Sequence, residues 1–353
     1  MSNTQENDHR VDAQNKAMST VRFSNATFTI GLAALVAALA LGASMIGAYP
    51  VSLSELLGVL TGTAKEAGST AETVLLQVRL PRITAALVVG AALAGAGAVY
   101  QGIFRNPLVS PDILGVSTGA GLGAVLGIFL SLPLIIIQGF AFIGGLTTVG
   151  LVYLIASRVH GREPVLVLVL AGVVVGSLAG AMISLMKVLA DPYDQLPAIT
   201  FWLLGSLAST RPEDVLGVIP AVIVGLVPLV LLRWRINVLS LGDEEARALG
   251  VEAGRVRLIV VAAATLMTAS VVAISGVIGW VGLVIPHIAR MIVGPNFDRL
   301  LPVAMLLGAG YLLLVDTLAR TMAQVETPLG ILTAILGAPF FLWLLARGRQ
   351  GWS

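Results

Sequence analysis

Seven stretches of this 353-residue chain contain no Asp, Glu, Lys or Arg: 23–54, 83–104, 113–157, 164–186, 215–232, 258–289 and 327–346. A helix that crosses the hydrocarbon of a bilayer needs roughly 20 apolar residues, and most of these stretches reach or exceed that. Composition follows the same pattern, at 57% hydrophobic, 11% charged and a mean hydropathy of +0.95. Soluble domains run at about 45–50% apolar and about 25% charged. One aqueous core cannot bury so much apolar surface, which excludes a soluble enzyme and predicts an all-α polytopic membrane protein.

Glycine supplies 39 residues, which suits membrane helices, because lipid gives no hydrophobic drive for their association and close approach must hold them. The chain has no cysteine, which removes disulfides and thiolate chemistry, and His9, His160 and His287 are scattered. No metal site is therefore expected. A net charge of +2 and a pI near 9.1 could suggest nucleic acid, but in such an apolar chain the basic excess reads as topology.

These stretches, with the apolar segment between Arg299 and Asp316, divide into ten spans: 27–47, 83–104, 112–131, 138–157, 164–189, 214–233, 256–275, 278–294, 301–320 and 328–347. The 45-residue stretch 113–157 must hold two of them, with Ser131-Leu132-Pro133 as the turn, and a break is expected near Ser275-Gly276. Segment 196–208 is too short to cross and reads as a partly inserted or interfacial helix, with Phe201 and Trp202 suited to the headgroup level. Residues 1–26 read as a polar cytoplasmic tail, 27–347 as one transmembrane domain and 348–353 as a short cytoplasmic tail. With both termini inside, 15 of the 21 basic residues fall on the cytoplasmic side, as positive-inside asymmetry requires. No glycine loop ending in Lys-Ser/Thr is present, so the energy source is expected on another chain.

A few polar stretches carry the remaining information. About 238–254 forms the longest cytoplasmic interruption, where Ser240 with Asp243 resembles a capping box and Gly250 suits a helix stop. The small face of Ala246, Ala248 and Gly250 would fit a partner's groove, although a solvated spacer helix explains the same spacing. Arg79 and Arg82 stand on the outer side against the charge trend, three apart and so on one helix face; snorkelling or pairing with an acid such as Glu72 is the plain alternative. Asp316 and Arg320, four apart, could form an intrahelical pair, as could Lys187 and Asp191. Pro286 is expected to break a helix, with His287 and Arg290 beyond it in a structural hydrogen-bonding role. Gly172, Gly176, Gly180 and Ser184 recur every four residues as a close-packing face, with Met182 and Met186 as either a soft wall or core.

Four segments, RLPRITAALVVGAALAGAGAVYQGIFRNPLVSPDILGVSTGAGLG (79–123), LGDEEARALGV (241–251), GVIGWVGLVIPHIARMIVGPNFDRLLP (276–302) and ETPLGILTAILGAPFFLWLL (326–345), resemble in fixed order the FecCD-type permeases of type II ABC importers, which carry iron-siderophores, haem and vitamin B12. The resemblance spans roughly 50–347. It implies ten helices per subunit and either a homodimer or a pseudo-dimer with a paralogue, with one path at the interface; of the two, the homodimer is expected. It also implies two ABC ATPase subunits below and a periplasmic binding protein above, in the inner membrane. No cofactor is then expected in this chain, and ATP belongs to the partner. It further implies binding-protein docking at Arg79, Arg82 and Arg320. The coupling contact would be made by Asp243, Glu244, Glu245, Arg247, Ala248, Leu249 and Gly250, and a cytoplasmic gate by Asn106 and Leu108. Candidates for lining the path are Gly172, Gly176, Gly180, Met182 and Met186. The expected cargo is an iron complex, siderophore or haem, with cobalamin or a molybdate-type oxyanion as alternatives. An ion-coupled transporter would want mid-span carboxylates, for which only Asp316 offers itself. A passive channel would want a repeated polar constriction, and none is evident.

Overall fold

The computed structural model describes residues 26–47, 49–61, 70–159, 163–323 and 325–347. Most of both tails and residues 160–162 of the loop 157–164 lie outside the described residues. Those described form fourteen α-helices and no strand. They are α1 Ala26–Met45, α2 Leu53–Leu60, α3 Thr70–Ile103, α4 Val116–Phe129, α5 Leu134–Arg158, α6 Pro164–Leu189 and α7 Gln195–Leu204. After these come α8 Pro212–Leu231, α9 Arg233–Leu239, α10 Asp243–Ala248, α11 Ala253–Ser275, α12 Val281–Val293, α13 Phe297–Ala319 and α14 Leu329–Arg347.

Each of the ten expected spans has its helix. Seven are long and apolar enough to cross a membrane, namely α1, α3, α5, α6, α8, α11 and α13. The turn at 131–133 is as expected, with Ser131 at positive φ and Pro133 heading α5.

The bundle is built around α3 and α11, whose apolar windows are 78% and 72% buried, whereas α1 is peripheral at 11%. Small residues make this possible. Gly90 on α3 faces Gly308 on α13 so closely that a Cβ on either would collide with the other's carbonyl. Gly119 on α4 and Gly144 on α5 meet in the same reciprocal way. Backbones that approach like this gain dispersion over their whole length, the main attraction available between helices in lipid.

Residues Val74–Arg79 within α3 are π-helical, with the Leu80 N–H bonded to the Leu75 carbonyl. Pro81 follows at once; its ring would crowd the carbonyl four residues back, and a widened turn relieves that. One extra residue in the turn offsets what precedes it by about 100°, but Arg79 (φ −79°, ψ −49°) and Leu80 (φ −61°, ψ −45°) are ordinarily helical, so Arg79 and Arg82 keep their i,i+3 spacing.

Pro286 does not break a helix: α12 runs through it from Val281 to Val293. Lacking an N–H, Pro286 leaves the Gly282 carbonyl free, and that carbonyl faces Gly97 of α3, where no Cβ would fit. The chain breaks instead at Gly276, at φ 67°, where α11 stops.

Short helix α7 is ten residues, about 15 Å long, and its end is absorbed by neighbours. Ser206 N–H bonds the Ser275 carbonyl at 2.8 Å, and Leu329 N–H bonds the Gly205 carbonyl at 2.9 Å. The ends of α7 and α11 and the start of α14 thus satisfy one another's orphan backbone groups, as helix ends within a bundle must.

Candidate functional site

Functional candidates collect at the two ends of α3, roughly 30 Å apart between Arg82 and Ile103. At the first end Arg79 and Arg82 are both buried. Arg79 donates from Nη1 to the Ser44 carbonyl at 2.7 Å and from Nη2 to the Tyr49 carbonyl. Arg320 donates from Nη2 to the Ala43 carbonyl at 2.5 Å. Carbonyls of a helix's last turn lack intrahelical donors. In α1 those of Gly42 and Met45 are taken by Ile46 and Val51 N–H groups, and Arg79 and Arg320 take the two between. The peripheral first helix is therefore pinned at its C-terminus by guanidiniums from α3 and from the end of α13, which also suits its dipole.

Arg82 turns the other way. Its Nε donates to both Asp316 oxygens, at 2.9 and 3.1 Å, and its Nη1 to Glu326 Oε1 at 2.7 Å. Asp316 is wholly buried, whereas the Glu326 side chain is 42% exposed. Asp316 thus pairs across helices with Arg82, not along its own helix with Arg320, and Arg82 finds its acids in α13 and Glu326, not in Glu72. The three arginines are brought together as expected, but as an internally bonded cluster, not an open outward face.

At the other end of α3 lie α9 and α10. Ser240 does not cap α10: its hydroxyl donates to the Asn237 carbonyl at 2.6 Å and it closes α9, while Gly242, at φ 141°, precedes α10. The expected stop holds. Gly250, at φ 76°, donates to the Arg247 carbonyl at 3.0 Å, and Val251 donates to the Ala246 carbonyl at 2.8 Å, which is a Schellman ending. Glu244, Glu245, Arg247, Ala248, Leu249 and Gly250 are exposed, but Ala246 is fully buried, so the small face is split. Asp243 bonds Arg257 of α11 at 2.6 Å, with 4% of the Arg257 side chain exposed and 27% of Asp243's. It mounts α10 on the bundle and offers its partner little. A cleft of about 520 Å³ opens beside the helix between Arg247 and Gly250–Arg255.

In the loop after α3, Asn106 Oδ1 accepts the Leu108 N–H at 2.9 Å, leaving Leu108 projecting and exposed. Arg105, at φ 49°, reaches Glu163 at 3.6 Å and lies against Gly242, so this loop touches the base of α10. On α6 the expected face is also divided. Gly172 is buried where a Cβ would meet the Ile113 carbonyl, Gly176 packs near Gly115, and Gly180 has open space. Met182 is exposed, while Met186 packs on the cluster of Val125, Ile183, Ala190 and Ile199. The Asp191 carboxylate accepts the Tyr193 and Asp194 N–H groups at 2.9 and 3.0 Å, closing the α6–α7 turn. His287 and Arg290 are half-buried on α12, and Arg290 Nε is buried without a hydrogen-bond partner among the described residues.

Reading the sequence missed Arg257 and Glu326, and no local spacing could have revealed them. The available signal was that an ionisable residue within a span must have a partner. Among the described residues, no group of three or more His, Cys, Asp or Glu could hold a metal.

The profile of the FecCD transport family matches residues 32–347. The molybdate import system permease protein MolB of Haemophilus influenzae is 42% identical over 322 residues, covering 91% of this chain and 94% of its own. The hemin transport system permease protein HmuU of Yersinia pestis is 39% identical over 327 residues, covering 90% and 94%. A solved metal-chelate type ABC transporter in an inward-facing conformation superposes with a TM-score of 0.83 at 40% identity, covering 91% of this chain and 99% of that one. The match runs from α1 to the end of α14 and takes in both ends of α3, so this chain belongs to the FecCD transport family and is a permease subunit of an ABC importer.

Proposed function

We propose that this chain carries an iron complex, siderophore or haem, across the cytoplasmic membrane by alternating access, as one of two identical permease copies. Both termini lie in the cytoplasm. Two ATPase subunits dock on α10 and the cleft beside it, and bind and hydrolyse the ATP. A substrate-loaded binding protein docks at the outer end near Arg79, Arg82 and Arg320, and Asn106 and Leu108 narrow the inner end of the path. The observation that carries this reading is the mounting of α10: a short helix with four exposed residues, Glu244, Glu245, Arg247 and Ala248, is held to the central helix α11 by Asp243–Arg257. Force applied to α10 reaches the middle of the bundle directly.

The similarity to HmuU supports an iron complex as cargo, while that to MolB supports an oxyanion as the second reading. Reconstitution with the cognate ATPase and binding protein in liposomes tests both. Expected are two copies of each membrane and ATPase subunit and ATP-dependent uptake of a ferric chelate or haem. Uptake of molybdate without iron uptake would select the second reading, and a single permease copy in the active complex would overturn the homodimer.

A further inference from the structure

We infer that Glu326 is an internal stand-in for the binding protein's carboxylate, occupying Arg82 until docking displaces it. The inference rests on the docking reading above and adds to it the contact that must be exchanged. The cluster holds three guanidiniums and two carboxylates, an excess of one positive charge. The two acids are not equivalent. Asp316 is wholly buried on α13 and takes Arg82 Nε with both oxygens, so it is a fixed counter-charge. Glu326 bonds through one oxygen to Nη1, is 42% exposed, and sits on non-helical chain before α14, so it can leave without unwinding a helix.

With Glu326 in place, only 8% of the Arg82 side chain is exposed. A partner's carboxylate reaches Arg82 by replacing a group of its own chemistry, leaving the buried Arg82–Asp316 pair intact. The exchange conserves charge-assisted hydrogen bonding, and the remaining positive excess favours an acidic arrival. Glu326 also lies three residues before Leu329, the first residue of α14, which is bonded to Gly205 at the end of α7. Moving Glu326 therefore pulls on the junction of α7, α11 and α14.

The test is the affinity of the purified cognate binding protein for the reconstituted full transporter, measured at low and high salt. Glu326→Gln removes the competitor and keeps the side chain's size. Partly exposed ion pairs are worth up to about 1 kcal/mol, so docking should tighten about 2- to 5-fold, more so at low salt. Arg320→Gln, which can still donate to the Ala43 carbonyl, should weaken docking. If Glu326→Gln weakens docking or leaves it unchanged while Arg320→Gln weakens it, Glu326 is not the displaced group and only this inference falls. If neither variant changes docking at any salt concentration, the docking reading falls and takes the inference with it.

Discussion

Truncating Asp243 to Ala should loosen α10 from the bundle without unfolding the chain, and the cost can be worked from the Arg257 contact. The pair is 2.6 Å apart, with 4% of the Arg257 side chain exposed. Removing one partner of a fully buried pair costs about 3–5 kcal/mol, because the other charge is stranded. Here 27% of the Asp243 side chain is exposed, so water can enter the vacated space and hydrate Arg257. That brings the expectation down to about 2–3 kcal/mol, the range for a hydrogen bond to a charged group. The converse variant, Arg257→Met, leaves Asp243 free to turn to solvent and should cost only about 1 kcal/mol. The double variant should then be less damaged than Asp243→Ala alone, a coupling that appears only between groups in contact. Hydrogen exchange of the α10 amides reads this directly, since about 2 kcal/mol corresponds to roughly 30-fold faster exchange through local opening. Stimulation of the ATPase by substrate-loaded binding protein should fall in parallel. Additive effects in the double variant, or faster exchange in Arg257→Met than in Asp243→Ala, would refute the reasoning.

Gly172→Ala places a methyl group against the Ile113 carbonyl and should cost about 1–3 kcal/mol of thermal stability in detergent, whereas Gly180→Ala, with open space around it, should cost none; equal melting temperatures would show that α6 does not pack as described. Asp316→Asn should lower folded yield and stability by about 2–4 kcal/mol, because Arg82 keeps only the half-exposed Glu326 as counter-charge; size-exclusion profiles with thermal melts check it, and wild-type stability would be the contrary result. Ala248→Trp should leave the permease folded, since Ala248 is exposed, yet reduce ATPase binding by about tenfold or more, an interface loss of about 1.4 kcal/mol; unchanged copurification and transport would return α10 to the role of a spacer.

The covalent pattern of the chain was sufficient for its spans. Charges excluded from the hydrocarbon mark every helix that must lie within it, so the gaps around 83–104 and 258–289 announce α3, α11 and α12 before any folding is considered. The stop at Gly250 was equally readable, because a left-handed residue after a short helix is a local requirement that glycine meets. The break at Gly276 was readable for the same reason, while the effect of Pro286 was not. A proline signals a lost N–H, but whether the helix bends, stops or continues depends on what receives the freed carbonyl, and here that is the close approach of Gly97.

What a charged side chain touches was decided only by the tertiary structure. Arg79, Arg82 and Arg320 were readable as a group, but their orientation was not. The carbonyls that meet Arg79 lie 35 and 30 residues back, and the acids that meet Arg82 lie 234 and 244 residues further along. Asp243 reads as one acid among three at a helix start, and only its contact with Arg257 separates it from Glu244 and Glu245. A bilayer acts on each residue separately and so writes topology into composition. Pairing of buried charges acts between residues that only the packed helices bring together.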